Sequence, residues 1–185
     1  MKLFSSNRFW VGLIVCGVLS AQCLGCDFVY RLLQREGAEE KDLFGEVVPF
    51  EANAKVKEVQ RLLKLYGYRV GNPDGKLGAK TREAIAAFQN DSGLKVSRFV
   101  DEATWKRLNM FTAGGLVVNG EIDPTAVQKA LNSAGFDAGA PDGKMGKRTK
   151  QALTNFQRAQ GLKPDGIIGY KTLNHLAEYL PVQEP

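Results

Sequence analysis

Lys144, Arg148 and Lys150 cluster beside Asp142, and the same types recur upstream as Lys76, Lys80 and Arg82 beside Asp74. Cations grouped where a helix begins are the chemistry of anion recognition, because the first backbone N–H groups of a helix are unpaired and its dipole is positive there. The set reads either as a carboxylate site or as a solvated charged face, and residue type alone leaves both open. Asp74 and Asp142 lie in Pro-Asp-Gly-Lys turns, where an aspartate oxygen accepts from nearby backbone N–H groups. Capping is the first reading of these aspartates and ligand contact the second. Gln89 and Gln157 directly follow Phe88 and Phe156, which are expected in the core, so part of each amide is expected to face a groove or solvent. Tyr66, Tyr68 and Tyr170 offer stacking faces where exposed and rim packing where not.

Other chemistries are excluded by count. Cys16, Cys23 and Cys26 all lie near the N-terminus and His175 is the single histidine. Beyond residue 26 neither a disulfide nor a thiolate metal site can form, and a His-rich zinc centre cannot be built. The segments that flank and join the repeats described below carry no Ser-x-x-Lys, His-Glu-x-x-His or nucleophile elbow. Paired carboxylates for glycoside cleavage stay open by spacing, yet the acidic residues of the body fall mostly on turns and helix starts, where capping explains them. The expectation is a protein that is not an enzyme and needs no cofactor and no metal. Its 185 residues, 44% hydrophobic and 24% charged, are ordinary globular material, and a net charge of +5 admits anionic partners without demanding one. Nucleic acid is not expected, because the basic residues lack the interleaved aromatics of a base-stacking platform.

A duplication positions the candidate residues. A shift of 68 residues aligns 59–108 with 127–176 without a gap, and 19 of the 50 positions are identical. Each copy predicts three short helices. In the second, Asp123-Pro124 supplies an N-cap acceptor and a first-turn proline. Val127, Ala130, Leu131 and Ala134 then recur at helical spacing until Gly135 stops the run. A second helix is expected over about 147–160, burying Ala152, Leu153 and Phe156, and a third over about 170–179, turning Leu173, Leu176 and Leu180 inward. The first copy predicts helices near 54–66, 79–92 and 102–109. No run alternates with the period of a half-buried strand, so the fold class is all-α.

The chain before the repeats divides in two. Lys2 and Arg8 precede the apolar run Trp10–Leu19, the order of a secretory signal. Stretched over 9–25, the run sits at the lower edge of a membrane span, so an uncleaved anchor is the alternative. Leu24-Gly25-Cys26 resembles the end of a bacterial lipoprotein signal, which implies lipidation of Cys26, although Cys23 stands where that family usually has leucine. Residues 27–53 carry seven acidic side chains against three basic ones, with Gly37, Gly45 and Pro49 interrupting any long helix. This segment reads as an acidic tether holding a basic body off an anionic surface, or as a solvated tail. The expected organisation is signal or anchor (1–25), acidic tether (26–53), first repeat (54–112), linker (113–120) and second repeat (121–181).

The motif carried by each copy is specific. Between Val127 and Leu173 it reads Val-Gln, Gly-Phe, Pro-Asp-Gly-x-x-Gly-x-x-Thr, Phe-Gln, Gly-Leu, Asp-Gly, Gly and Thr-Leu. It resembles the three-helix peptidoglycan-binding repeat attached to bacterial cell-wall hydrolases. The resemblance implies two tandem noncatalytic modules that hold peptidoglycan in a shallow groove, and the carboxylates of peptidoglycan stem peptides suit the basic turn on charge alone. The ligand-binding set expected from the residues themselves is Asp142, Lys144, Arg148, Lys150, Gln157, Asp165 and Tyr170 in the second copy, and Lys76, Lys80, Arg82 and Gln89 in the first. The implied partners are peptidoglycan, a membrane through the N-terminal lipid or anchor, and, as the rival reading, an envelope protein docked by the same helices. The implied location is the cell envelope. The first copy departs from the pattern: Ser97-Arg98 and Asp101 replace Asp165-Gly166 and Gly169. Asp101 is expected still to cap the third helix, whereas arginine in place of glycine is expected to route the turn differently and to favour the second copy as the binder.

Overall fold

The computed structural model describes residues 36–45 and 51–180, and the leader, Cys26 and most of the acidic segment lie outside those residues. Seven helices and one short ribbon follow in order: α1 (Glu36–Phe44), α2 (Ala54–Leu65), α3 (Ala79–Asp91), α4 (Glu102–Ala113), β1 (Val117–Val118), β2 (Glu121–Ile122), α5 (Pro124–Ser133), α6 (Lys147–Ala159) and α7 (Tyr170–Ala177). Helices α2–α4 form the first repeat and α5–α7 the second, so the architecture is helical as the spacing predicts.

Local sequence explains the helix starts. Asn53 accepts from the Lys55 and Val56 N–H groups ahead of α2, Asp101 accepts from Thr104 N–H at 2.7 Å ahead of α4, and Asp123 accepts from Thr125 N–H ahead of Pro124 in α5. Each repeat then closes on one apolar face. Val56, Val59, Leu63, Ile85, Phe88 and Leu108 are buried in the first repeat, and Val127, Leu131, Leu153, Phe156, Leu173 and Leu176 in the second. Burying each such side chain is worth about 1.5–3 kcal/mol, which is the main force holding three short helices together.

The two cores merge through aromatic rings. The Tyr170 ring, at the start of α7, packs with centroid distances of 5.1 Å to Phe88, 5.7 Å to Phe111 and 6.2 Å to Tyr66. Tyr170 N–H donates to Tyr66 O at 3.0 Å, and a Cβ on Gly169 would sit 3.2 Å from that same carbonyl, so glycine permits the approach. Arg107 Nε donates to the Tyr170 hydroxyl at 2.8 Å, and Lys171 pairs with Asp91 at 3.3 Å.

Two expectations are corrected here. Residues 117–122, read as linker and repeat edge without strand character, form an antiparallel ribbon pairing Val117 with Ile122 and Val118 with Glu121. Its turn is Asn119-Gly120, with φ of 54° and 77°, the preferred hairpin dipeptide. The second correction concerns the acidic segment. Within it, α1 folds and docks: Glu40 and Phe44 are buried, and Asn53 Nδ2 donates to Phe44 O at 2.9 Å. The helix is nine residues long, takes Gly37 into its first turn and stops before Gly45, so the glycines limit its length without preventing it.

Candidate ligand-binding site

Four buried polar hubs, two per repeat, build the turns on which the candidate residues stand. Gln60 lies on α2 and is 1% exposed. Its Nε2 lies 2.9 Å from Asp74 Oδ1, 3.0 Å from Lys76 O and 3.0 Å from Thr81 Oγ1, while its Oε1 accepts from Gly75 N–H at 2.7 Å. Gln128 repeats the arrangement with Asp142, Lys144, Thr149 and Gly143. The glycine of the turn is required, because at Gly75 (φ 80°) a Cβ would lie 2.8 Å from Asn53 O. Backbone groups and an amide thus occupy Asp74 Oδ1 and Asp142 Oδ1. These bonds favour the carboxylate form and hold both carboxyls below their ordinary value. Lys76 N–H is the largest cause at Asp74 and the Gln128 amide at Asp142.

Gln89 and Gln157 form the second pair of hubs, and here the expectation of groove-facing amides is corrected. They are 0% and 1% exposed. Gln157 Oε1 accepts from Gly166 N–H at 2.9 Å, and its Nε2 donates to Ile167 O at 2.9 Å and to Thr172 Oγ1 at 3.3 Å. Gln89 bonds the equivalent Arg98 N–H, Phe99 O and Thr104 Oγ1. The residue after a core phenylalanine still faces inward because a turn wraps over it and replaces the water. Recurrence of Pro-Asp-Gly-x-x-Gly-x-x-Thr at 141–149 and 164–172 was the available signal for these hubs.

The route of the turn at Arg98 is corrected too. Arg98 has φ 68° and Gly166 φ 70°, so the backbone path is shared despite the substitution. The Gln89 Oε1 bond at 2.9 Å holds Arg98 N–H there, against a left-handed cost of about 1–2 kcal/mol for a residue with a Cβ.

The basic residues fall into different environments. Lys76, Lys80, Lys144 and Lys150 are exposed. Arg148 is exposed but pairs with Asp137, whose carboxyl is held below its ordinary value chiefly by that hydrogen bond. Arg82, expected on the surface, is 4% exposed and pairs with Glu40 of α1. Asp165 Oδ1 accepts from Ile167 N–H at 2.9 Å, and the carboxylate pairs with Lys163 at 3.3 Å. The Ile167 N–H is the largest cause of its lowered pKa.

Between the repeats lies a cleft of about 270 Å³, lined by Tyr66, Tyr68, Asp91, Asp165, Ile167, Tyr170 and Lys171 among others. Tyr170 reaches it only as a buried edge, 4% exposed, which corrects its reading as an open stacking face. Burial raises the Tyr66 and Tyr68 phenols above the ordinary value, so both remain neutral donors: Tyr66 to Leu108 O at 2.6 Å and Tyr68 to Asp91 Oδ2 at 3.0 Å.

Two copies of a three-helix unit, each bolted by glutamine hubs to Asp-Gly turns or their equivalent, define a tandem repeat module of one architecture. Residues 52–108 and 121–176, together more than half of the chain, match the family described as "Putative peptidoglycan binding domain", and the chain belongs to that family. It is 35% identical over 108 residues to N-acetylmuramoyl-L-alanine amidase CwlM of Mycobacterium tuberculosis, a match spanning 53% of this chain and 26% of that protein. It is 41% identical over 63 residues to localization factor PodJL of Caulobacter vibrioides, spanning 34% of this chain and 6% of that protein. No solved structure matches.

Proposed function

We propose that the chain is an exported, membrane-anchored envelope protein whose repeats bind peptidoglycan without catalysis, the second repeat contributing most of the affinity. The observation that carries this reading is membership, twice over, in a peptidoglycan-binding family. The match to the amidase CwlM falls in the region of the repeats, which supports a binding role rather than an active centre. Lys144, in the turn before α6, and Lys150, in its first turn, stand exposed without an ion-pair partner among the described residues. In the first repeat the position matching Lys150 is Arg82, buried under α1. Anchoring rests on the order of the leader and on Leu24-Gly25-Cys26. Among the described residues no helix is long and apolar enough to cross a membrane.

The test is sedimentation of the full chain with purified insoluble peptidoglycan. Binding should weaken with salt, since the attraction is between partly exposed charges. It should fall in Lys144→Glu and Lys150→Glu and be unchanged in Lys80→Glu. Equal losses in all three variants would refute the asymmetry. For the anchor, a clickable fatty acid should label the wild type and leave Cys26→Ser unlabelled. The match to a localization factor favours a second reading, docking of an envelope protein by the same helices. Failure to sediment with peptidoglycan would move the function there.

A further inference from the structure

The first repeat already holds a carboxylate, and the way it does so marks a subsite that recurs in the second. Glu40 on α1 is fully buried, and its oxygens accept from Arg82 Nη1 at 2.5 Å, Arg82 Nη2 at 2.8 Å and Val100 N–H at 2.9 Å. Arg82 stands in the first turn of α3, and Val100 immediately precedes Asp101, the N-cap of α4. Phe99 forms an apolar floor, its ring centroid 4.7 Å from the guanidinium carbon, and Arg98 O accepts from Arg82 Nη1 at 3.0 Å. A cation from the second helix, an amide from the turn before the third and an apolar residue between them together take one carboxylate.

The offset of 68 residues carries each part onto the second repeat. Arg82 becomes Lys150 in the first turn of α6, Val100 becomes Ile168 immediately before the Gly169 N-cap of α7, and Phe99 becomes Ile167. The turn keeps its backbone, with φ of 68° at Arg98 and 70° at Gly166, and its glutamine hub. The environments, however, are opposite. Phe99 is 1% exposed beneath α1, whereas Ile167 is 65% exposed. Lys150 is exposed, and the Ile168 N–H has no hydrogen-bond partner among the described residues.

We propose that Lys150 and the Ile168 N–H, flanked by Ile167, form a carboxylate subsite of the second repeat that takes a free stem-peptide carboxylate of peptidoglycan, and that Glu40 fills the equivalent subsite of the first repeat. One copy is closed by the chain's own side chain and the other is open to ligand. The proposal rests on the reading that the chain binds peptidoglycan, and adds to it the atoms that recognise the ligand. Lysine offers a point charge where arginine offers a fork, so the open subsite engages its carboxylate through one ammonium and one amide, a reversible arrangement. Glu40, held by a forked guanidinium in a dry site, is the permanent counterpart.

The test uses the full chain, ¹⁵N-labelled and held in detergent, titrated with soluble fragments of digested peptidoglycan whose stem carboxyls are free or amidated. The Ile168 amide resonance should move with the free-carboxyl probe while that of Val100 stays in place. Lys150→Ala should weaken that probe about tenfold, the loss of one charge-assisted hydrogen bond, and the amidated probe should bind the wild type no better than the free probe binds the variant. Lys150 is exposed, so the variant should keep its melting temperature. An unmoved Ile168 resonance with a bound probe, or undiminished binding by Lys150→Ala or by the amidated probe, would overturn the subsite while leaving peptidoglycan binding standing. Absence of binding both to the fragments and to insoluble peptidoglycan would overturn the two together.

Discussion

Single side chains in this fold act as fasteners. Gln157, 1% exposed, satisfies an N–H, a carbonyl and a hydroxyl with one amide. Gln157→Ala should therefore cost about 2–4 kcal/mol, because Gly166 N–H and Ile167 O lose their buried partner. Urea denaturation followed by circular dichroism measures it, and a cost below about 0.5 kcal/mol, the level of an ordinary surface change, would mean that the amide faces solvent. The turn aspartates act at another pH. Asp74, Asp142 and Asp165 have carboxyls below their ordinary 3.8, so they bind protons more weakly folded than unfolded. Their contribution is complete above pH 3.8 and is lost as pH falls through the folded values beneath it. Asp142→Asn should thus flatten the acid limb of the stability profile below that pH while leaving its neutral region parallel to wild type. A variant with an unaltered acid limb would show that Asp142 does not couple protonation to folding.

At the scale of elements, α1 changes the meaning of the chain before the repeats. It reaches the first repeat through Phe44 and Glu40, and the buried Glu40–Arg82 pair joins a helix outside the repeat to α3 and to the turn before α4. Glu40→Ala leaves the guanidinium in a dry site without its carboxylate, which should destabilise the first repeat by about 3–5 kcal/mol. Hydrogen exchange at the α2 and α3 amides reads this directly, and protection equal to wild type would show that α1 contributes nothing to the repeat. The acidic composition of this segment was plain in the sequence, but its docking was not. One glutamate among seven acidic residues has no local mark of burial, and its partner Arg82 is 42 residues away.

For the whole molecule, the shared aromatic core joins the repeats into one body. Tyr170 belongs to the second repeat by sequence, yet its ring packs on Phe88, Phe111 and Tyr66 of the first. Unfolding should therefore be a single transition, with the slowest amides of α3 and α6 exchanging at one common free energy. Tyr170→Ala should remove about 3–5 kcal/mol, the cost of truncating a large buried ring, and should separate the two sets of amides. Two distinct free energies in the wild type would show that the repeats fold independently. The same joint creates the cleft beside the Asp165 turn, so a variant that frees the repeats should also lose that cleft.

The sequence by itself determined what depends on near neighbours. The helix boundaries follow from caps such as Asp101 and Asp123, the turns from Pro-Asp-Gly, and the tandem arrangement from the repeat at 68 residues, because all of these are periodic or local signals. Even the missed ribbon had a local sign in Asn119-Gly120. Only the tertiary structure decided which polar and aromatic residues are used up inside. Gln89, Gln157, Arg82 and Tyr170 are types that suit a ligand face, and each is buried by a partner outside its own helix: the following turn folded over an amide, α1 laid over a guanidinium, a neighbouring repeat closed on a ring. Burial depends on what arrives from elsewhere in the chain. That is why Arg82 and Lys150, equivalent in the duplicated sequence, end with opposite access to solvent.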